Sequence, residues 1–108
     1  MAIHQSPPLI DILEIVNKKS HNLMAEQTLR TVGRVAVGEG SVEAGEKAVI
    51  QLLVRETGDA PEGFDMDDGS GLSVLDRASA RNFIHLLSFM AKSPMFDAYW
   101  QTLPEAGV

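Results

Sequence analysis

The sequence has no cysteine, so disulfides and thiolate metal sites are excluded. It contains no apolar run of about 18 residues, so it predicts no transmembrane helix. It also lacks a positively charged start followed by an apolar stretch and a small-residue cleavage site, so no signal peptide is predicted. What remains is the composition of an ordinary globular chain, with 44% hydrophobic residues.

Basic residues are scarce, since Lys and Arg total 9 against 15 Asp and Glu, which gives a net charge of −6. Nucleic-acid binding requires clustered Lys and Arg that neutralise phosphates. The only adjacent basic pair is Lys18-Lys19. The sequence therefore argues against a nucleic-acid partner.

Metal ligands are poorly grouped as well. The three histidines are too far apart for a helical pair of the H-E-x-x-H kind. The acidic group Asp65, Asp67 and Asp68 lacks the EF-hand pattern and its bidentate glutamate. We therefore predict a solvated acidic loop there, with no metal and no other cofactor.

Apolar residues recur at helical spacing in four to five segments, which predicts a mostly α-helical fold. Capping residues mark the predicted helix starts, which are Ser6-Pro7, Asn22, Ser41, Ser79 and Ser93-Pro94. Gly58 predicts the end of the third helix. Residues 58–71 are rich in Gly, Asp and Pro and predict a long loop, with a very short strand allowed near Phe64 and Met66. Tyr99 and Trp100 share helical spacing with Phe96, which favours the core over an exposed ligand platform.

Two short strings could carry chemistry. Ser20-His21-Asn22 is an S-x-N tripeptide at a predicted helix junction, where Ser20 or Asn22 could equally be a helix N-cap. Asp68-Gly69-Ser70-Gly71-Leu72-Ser73 reads as a turn whose glycines permit positive φ and whose Asp and Ser can bond local backbone. This second string could either stabilise the loop or contact the substrate.

Together with the residues around them, these two strings resemble motifs of a known protein family. The run from Lys19 to Glu26, K-S-H-N-L-M-A-E, resembles the second active-site motif of penicillin-binding D-alanyl-D-alanine carboxypeptidases. The D-G-S-G-L-S string resembles a segment of the same enzymes, and the flanks at residues 4–9 and 103–107 agree with it. The resemblance therefore spans essentially the whole chain.

The resemblance implies a fold and a function. Residues 1–108 would be a single helical subdomain, an internal fragment of a larger penicillin-binding domain with a β-lactamase-like transpeptidase fold. The parent would be a serine peptidase outside the cytoplasm that removes the terminal D-Ala from peptidoglycan stem peptides and reacts with β-lactams. Ser20 would relay a proton, Asn22 would orient the substrate, and Ser70 and Ser73 are further candidates for substrate contact.

Two of the three motifs of these enzymes are missing. No serine is followed by lysine three positions later, and the nearest match to K-T-G is Glu56-Thr57-Gly58, which predicts a helix end. Many relatives also have arginine where this sequence has Val74. We therefore expect the segment alone to be inactive and to need the rest of the parent chain. A non-catalytic helical binding or interaction module is the alternative.

Overall fold

The computed structural model describes residues 1–107, which form five α-helices and one short 3-10 helix. The α-helices are α1 (Leu9–Lys19), α2 (Asn22–Ala36), α3 (Val42–Thr57), α4 (Ala80–Lys92) and α5 (Phe96–Thr102), and the 3-10 helix is Pro61–Gly63. Strand pairing in this part of the chain is limited to one antiparallel bridge between Asp65 and Arg77. The predicted mostly helical fold with a long loop after Gly58 is confirmed. None of the described helices is long and apolar enough to cross a membrane.

Three helix boundaries lie where the capping residues predict them. The Ser41 hydroxyl accepts a hydrogen bond from the Ala44 amide at 3.2 Å and caps α3. Gly58 ends α3 in the left-handed conformation, with φ of 74°. Ser79 begins α4 with a capping box, in which the Ser79 hydroxyl and the Asn82 side chain each accept from the other's backbone amide.

Three other starts differ from the prediction. α1 begins at Leu9 behind Pro8 and has no side-chain cap, so Ser6 is not its N-cap. The reason is that each proline disfavours the helical conformation in the residue before it, which keeps Ser6 and Pro7 outside the helix. α5 begins at Phe96, because the Ser93 hydroxyl accepts from the amide two residues on, that of Met95, and forms a turn instead of a helix cap. The start of α2 is described with the site below.

Close packing of α2 against α3 builds the centre of the structure. Leu29 and Ala44 are buried there, and two glycines allow the backbones to approach. A Cβ on Gly33 would lie 2.6 Å from the Gly45 amide nitrogen, and one on Gly45 would collide with the Leu29 carbonyl oxygen. Only glycine therefore fits at either position.

Two polar contacts fix the outer helices. The Asn17 amide donates to the buried Thr102 hydroxyl at 2.8 Å and joins α1 to α5. Asp59 accepts from the Asn82 amide at 3.0 Å and lies 2.7 Å from His85 Nδ1, which ties the end of α3 to α4. The hydrogen bonds from Asn82 and His85 hold the pKa of Asp59 below its usual value, although desolvation acts in the opposite direction.

A large apolar surface is left exposed. Leu29 and Ala44 are the only buried apolar side chains in residues 1–107, and the accessible surface is 7998 Å². A folded monomer of this mass exposes about 5,900 Å². The prediction of a core position for Trp100 is wrong, because this residue is 62% exposed; its ring lies tilted against that of Phe96, with 5.7 Å between ring centroids. Tyr99 on the same helix is half-buried and therefore less exposed than Trp100.

Candidate active site

Ser20 forms the corner between α1 and α2. Its backbone is left-handed, with φ and ψ both at 52°, and it is the only non-glycine residue with positive φ within residues 1–107. This conformation costs an L-residue about 1–2 kcal/mol. Because the chain turns sharply here, only two residues, Ser20 and His21, connect the helices, and Ser20 is exposed at the surface.

His21, and neither Ser20 nor Asn22, provides the N-cap of α2. His21 Nδ1 accepts a hydrogen bond from the Met24 amide at 3.3 Å, which makes Asn22 the first helical residue. The left-handed turn at Ser20 explains the shift, because it leaves His21 in the extended conformation that a capping residue requires. Neither the Ser20 hydroxyl nor the Asn22 amide has a side-chain hydrogen bond within residues 1–107.

A cleft of about 230 Å³ lies beside this corner and brings together most of the predicted site residues. Ser20, Asn22 and Ser70 all line it, although they come from two separate stretches of sequence. The other lining residues are Val16, Asn17, His21, Ala25 and Gly69. Two residues whose polar side chains have no hydrogen-bond partner in residues 1–107 thus line one small cavity at the junction of α1, α2 and the loop.

Ser73, the fourth candidate, does not line the cleft. Its hydroxyl donates to Asp67 Oδ2 at 2.7 Å and accepts from the Leu75 amide at 3.1 Å. These bonds hold the loop in shape.

Asp68 organises the loop that follows it. Its carboxylate accepts from the Ser70 hydroxyl at 2.9 Å, the Gly71 amide at 2.8 Å and the Ser73 amide at 3.0 Å. Desolvation raises the pKa of Asp68, but the hydrogen bonds from Ser70 and Gly71 oppose this effect, and the net result is a pKa below the usual value. The carboxylate is therefore ionised at neutral pH and keeps its full capacity as an acceptor.

Glu26 joins the loop to α2 and was missed by the sequence analysis as a site residue. Its Oε1 accepts from the Gly69 amide at 2.9 Å and from the Ser70 amide at 3.0 Å. The sequence spacing could have indicated it, because Glu26 lies four residues after Asn22 and therefore on the same face of α2.

Lys18, near the end of α1, forms an ion pair with Glu14. Its Nζ lies 2.8 Å from Glu14 Oε1, one helical turn back. The hydrogen bond to Glu14 raises the pKa of Lys18, so this amine remains protonated at neutral pH. Lys18 is therefore unsuited to be the base that activates Ser20. In the part of the chain that the structure describes, no group of three His, Cys, Asp or Glu is placed to hold a metal ion.

Comparison with known proteins identifies the family of the chain. The chain belongs to the D-Ala-D-Ala carboxypeptidase 3 (S13) family, whose model matches residues 1–108. It is 32% identical over 107 residues to a D-alanyl-D-alanine carboxypeptidase of Actinomadura sp. (strain R39), covering 99% of this chain and 20% of that protein. It is 31% identical over 109 residues to the D-alanyl-D-alanine carboxypeptidase DacB of Haemophilus influenzae, covering 100% of this chain and 22% of that protein. The chain thus spans about a fifth of the length of these curated relatives.

Proposed function

We propose that this chain is part of a serine-type D-Ala-D-Ala carboxypeptidase that acts on peptidoglycan stem peptides, and that it contributes Ser20 and Asn22 to the active site. The observation that carries the proposal is the cleft lined by Ser20, Asn22 and Ser70, in which the exposed Ser20 and Asn22 side chains have no hydrogen-bond partner among the described residues. Membership of the carboxypeptidase family supports the reaction class.

The reaction divides one hydrolysis into two steps. A nucleophilic serine attacks the carbonyl carbon of the penultimate D-Ala, the peptide bond breaks, and the terminal D-Ala leaves with a proton on its nitrogen. Water then hydrolyses the acyl-enzyme. The Ser20 hydroxyl can accept one proton and donate another, which suits a relay to the leaving nitrogen. The Asn22 amide offers both a donor and an acceptor to the peptide backbone of the substrate.

The nucleophile and its lysine lie outside residues 1–108 in this proposal. The sequence has no S-x-x-K and no K-T-G, and a β-lactam would acylate the same missing serine. Because peptidoglycan lies outside the cytoplasmic membrane, the parent protein would work there. Stem peptides, β-lactams and the remainder of the parent chain are the proposed partners.

The exposed apolar surface supports a place inside a larger domain. A groove of about 720 Å³ along α1 and α2 is lined mainly by apolar side chains, among them Leu9, Ile12, Leu23, Val32 and Val35. Apolar surface of this extent marks a contact with other protein. We propose that the rest of the parent chain, which in the relatives is about four-fifths of the length, covers this groove.

Replacement of Ser20 tests the proposed relay. In the full-length protein, we expect Ser20→Ala to slow acylation by penicillin by about 10²–10⁴-fold, since one positioned proton-transfer group is lost. The acylation rate is measured by stopped-flow or by intact-mass spectrometry over time, with circular dichroism to show that the fold is intact. Ser88→Ala is the matched control, because Ser88 is an exposed serine on α4 outside the cleft. Acylation of Ser20→Ala at the parental rate would show that Ser20 is not the relay.

A further inference from the structure

We infer that Glu26 is a positioning residue that sets the distance between the Ser70 loop, residues 68–73, and the pair Ser20 and Asn22. This inference rests on the proposed function. Glu26 is half-buried on α2, and one carboxylate oxygen accepts hydrogen bonds from two consecutive loop amides, those of Gly69 and Ser70. A carboxylate that accepts two backbone N–H groups makes charge-assisted bonds, which are about twice as strong as neutral ones.

The loop packs directly against the backbone of α2 at Gly69. A Cβ on Gly69 would lie 2.9 Å from the Ala25 carbonyl oxygen and 3.0 Å from Leu29 Cβ. The absence of a side chain at Gly69 allows this approach, and Glu26, the residue after Ala25 on the same helix, holds the loop in place. Without the carboxylate, two half-buried N–H groups lose their acceptor, and the loop can move away from the helix.

Ser70 is held from two sides. Its amide donates to Glu26, and its hydroxyl donates to Asp68 Oδ2 at 2.9 Å while it accepts from the Leu72 amide at 3.2 Å. The Asp68 contacts lie within the loop and fix its internal shape, whereas the Glu26 contacts fix the loop relative to α2. Because Asn22 is the first residue of α2, Glu26 sets the width of the cleft between Asn22 and Ser70.

A change in this width alters binding and orientation of the substrate, and a displacement of 1 Å can cost about 10²-fold in rate. We therefore expect Glu26→Ala to lower kcat/KM for a D-Ala-D-Ala peptide by about 10- to 100-fold in the full-length protein. Glu26→Gln keeps an oxygen that can accept from both amides, so we expect it to restore most of the activity. The matched control is Glu39→Ala, because Glu39 is an exposed glutamate in the connection between α2 and α3.

The experiment measures kcat/KM with a D-Ala-D-Ala peptide and amide hydrogen exchange of residues 68–73, both well below the unfolding temperature. The inference predicts that Glu26→Ala loses activity and exchanges faster in the loop, while Glu26→Gln and Glu39→Ala remain near the parent. An active parent whose Glu26→Ala variant keeps the parental kcat/KM overturns the inference and leaves the proposed function standing. Equal loss in Glu26→Ala and Glu26→Gln also overturns it. A parent that hydrolyses no such peptide overturns the proposed function and the positioning role together.

Discussion

At the scale of single residues, Ser20 combines an exposed hydroxyl with a backbone conformation that serine rarely adopts. Glycine would adopt the same conformation without the clash between Cβ and the carbonyl oxygen. Strained residues persist where the surrounding structure enforces them, and they concentrate at functional sites. A catalytic role for the hydroxyl gives a physical reason for a serine at a corner that favours glycine.

We expect glycine and alanine at position 20 to differ in stability but not in activity. We expect Ser20→Gly to be more stable than Ser20→Ala by about 1 kcal/mol, because only alanine keeps the strained Cβ. Both variants should lose acylation by penicillin to a similar extent, since both lack the hydroxyl. Urea unfolding of the full-length variants gives the first comparison and stopped-flow acylation the second. An alanine variant as stable as the glycine variant would show that the corner stores no strain.

Candidate site residues can be chosen from the sequence, but their hydrogen-bond partners cannot. S-x-N makes Ser20 and Asn22 candidates, and the D-G-S-G-L-S string makes Ser70 one, because both are local patterns, and the structure places these three residues around one cleft. The cap by His21 was missed because a histidine accepts a hydrogen bond at Nδ1 only in one tautomer, which the sequence does not reveal. The Glu26 contact was missed because it joins residues 43 and 44 positions apart, and only the folded chain brings them together.

At the scale of elements, α2 is the helix that connects the cleft to the packed centre of the structure. Its first turns carry Asn22 at the cleft and Glu26 against the Ser70 loop, and further along the same helix Leu29 and Gly33 pack against α3. Packing of α3 on α2 therefore supports the helix to which the Ser70 loop is attached. Glycine at position 33 lowers helix propensity by about 1 kcal/mol relative to alanine, so its presence inside α2 requires a packing reason.

The close approach of α2 and α3 predicts that Gly33→Ala destabilises the protein although alanine favours helices. The added Cβ would meet three backbone atoms within 3.0 Å, and backbone cannot move aside as a side chain can. We expect a loss of about 1–3 kcal/mol in the free energy of unfolding, as for other overpacked sites. Gly40→Ala is the control, because its Cβ would have no neighbour closer than 3.9 Å. A Gly33→Ala variant more stable than the parent would contradict the packing described.

Helix ends were predicted where a local bond defines them and missed where neighbouring residues decide them. Ser41, Gly58 and Ser79 set their boundaries through a single cap or turn. The start of α1 depends on two consecutive prolines, whose combined effect moves it to Leu9. The apolar helix faces were also predicted, but the sequence does not show which of these faces are buried against other helices of residues 1–108 and which stay exposed.

At the scale of the whole molecule, the surface is roughly a third larger than that of a folded monomer of the same mass. The radius of gyration is 14.7 Å, where a domain of this length has about 13 Å. Phe83 and Ile84 on α4 are 57% and 62% exposed despite their helical spacing. We propose one physical explanation for these values, which is that the rest of the parent chain covers the apolar faces.

The central claim is that residues 1–108 supply Ser20, Asn22 and the Ser70 loop to an active site whose nucleophile lies elsewhere in the parent chain. Incubation of the full-length protein with penicillin, followed by proteolysis and mass spectrometry, locates the acylated residue directly. We expect one penicilloyl group, on a serine outside residues 1–108 that has lysine three positions later. An adduct on Ser20, Ser70 or Ser73, or no adduct anywhere in the full-length protein, would contradict it.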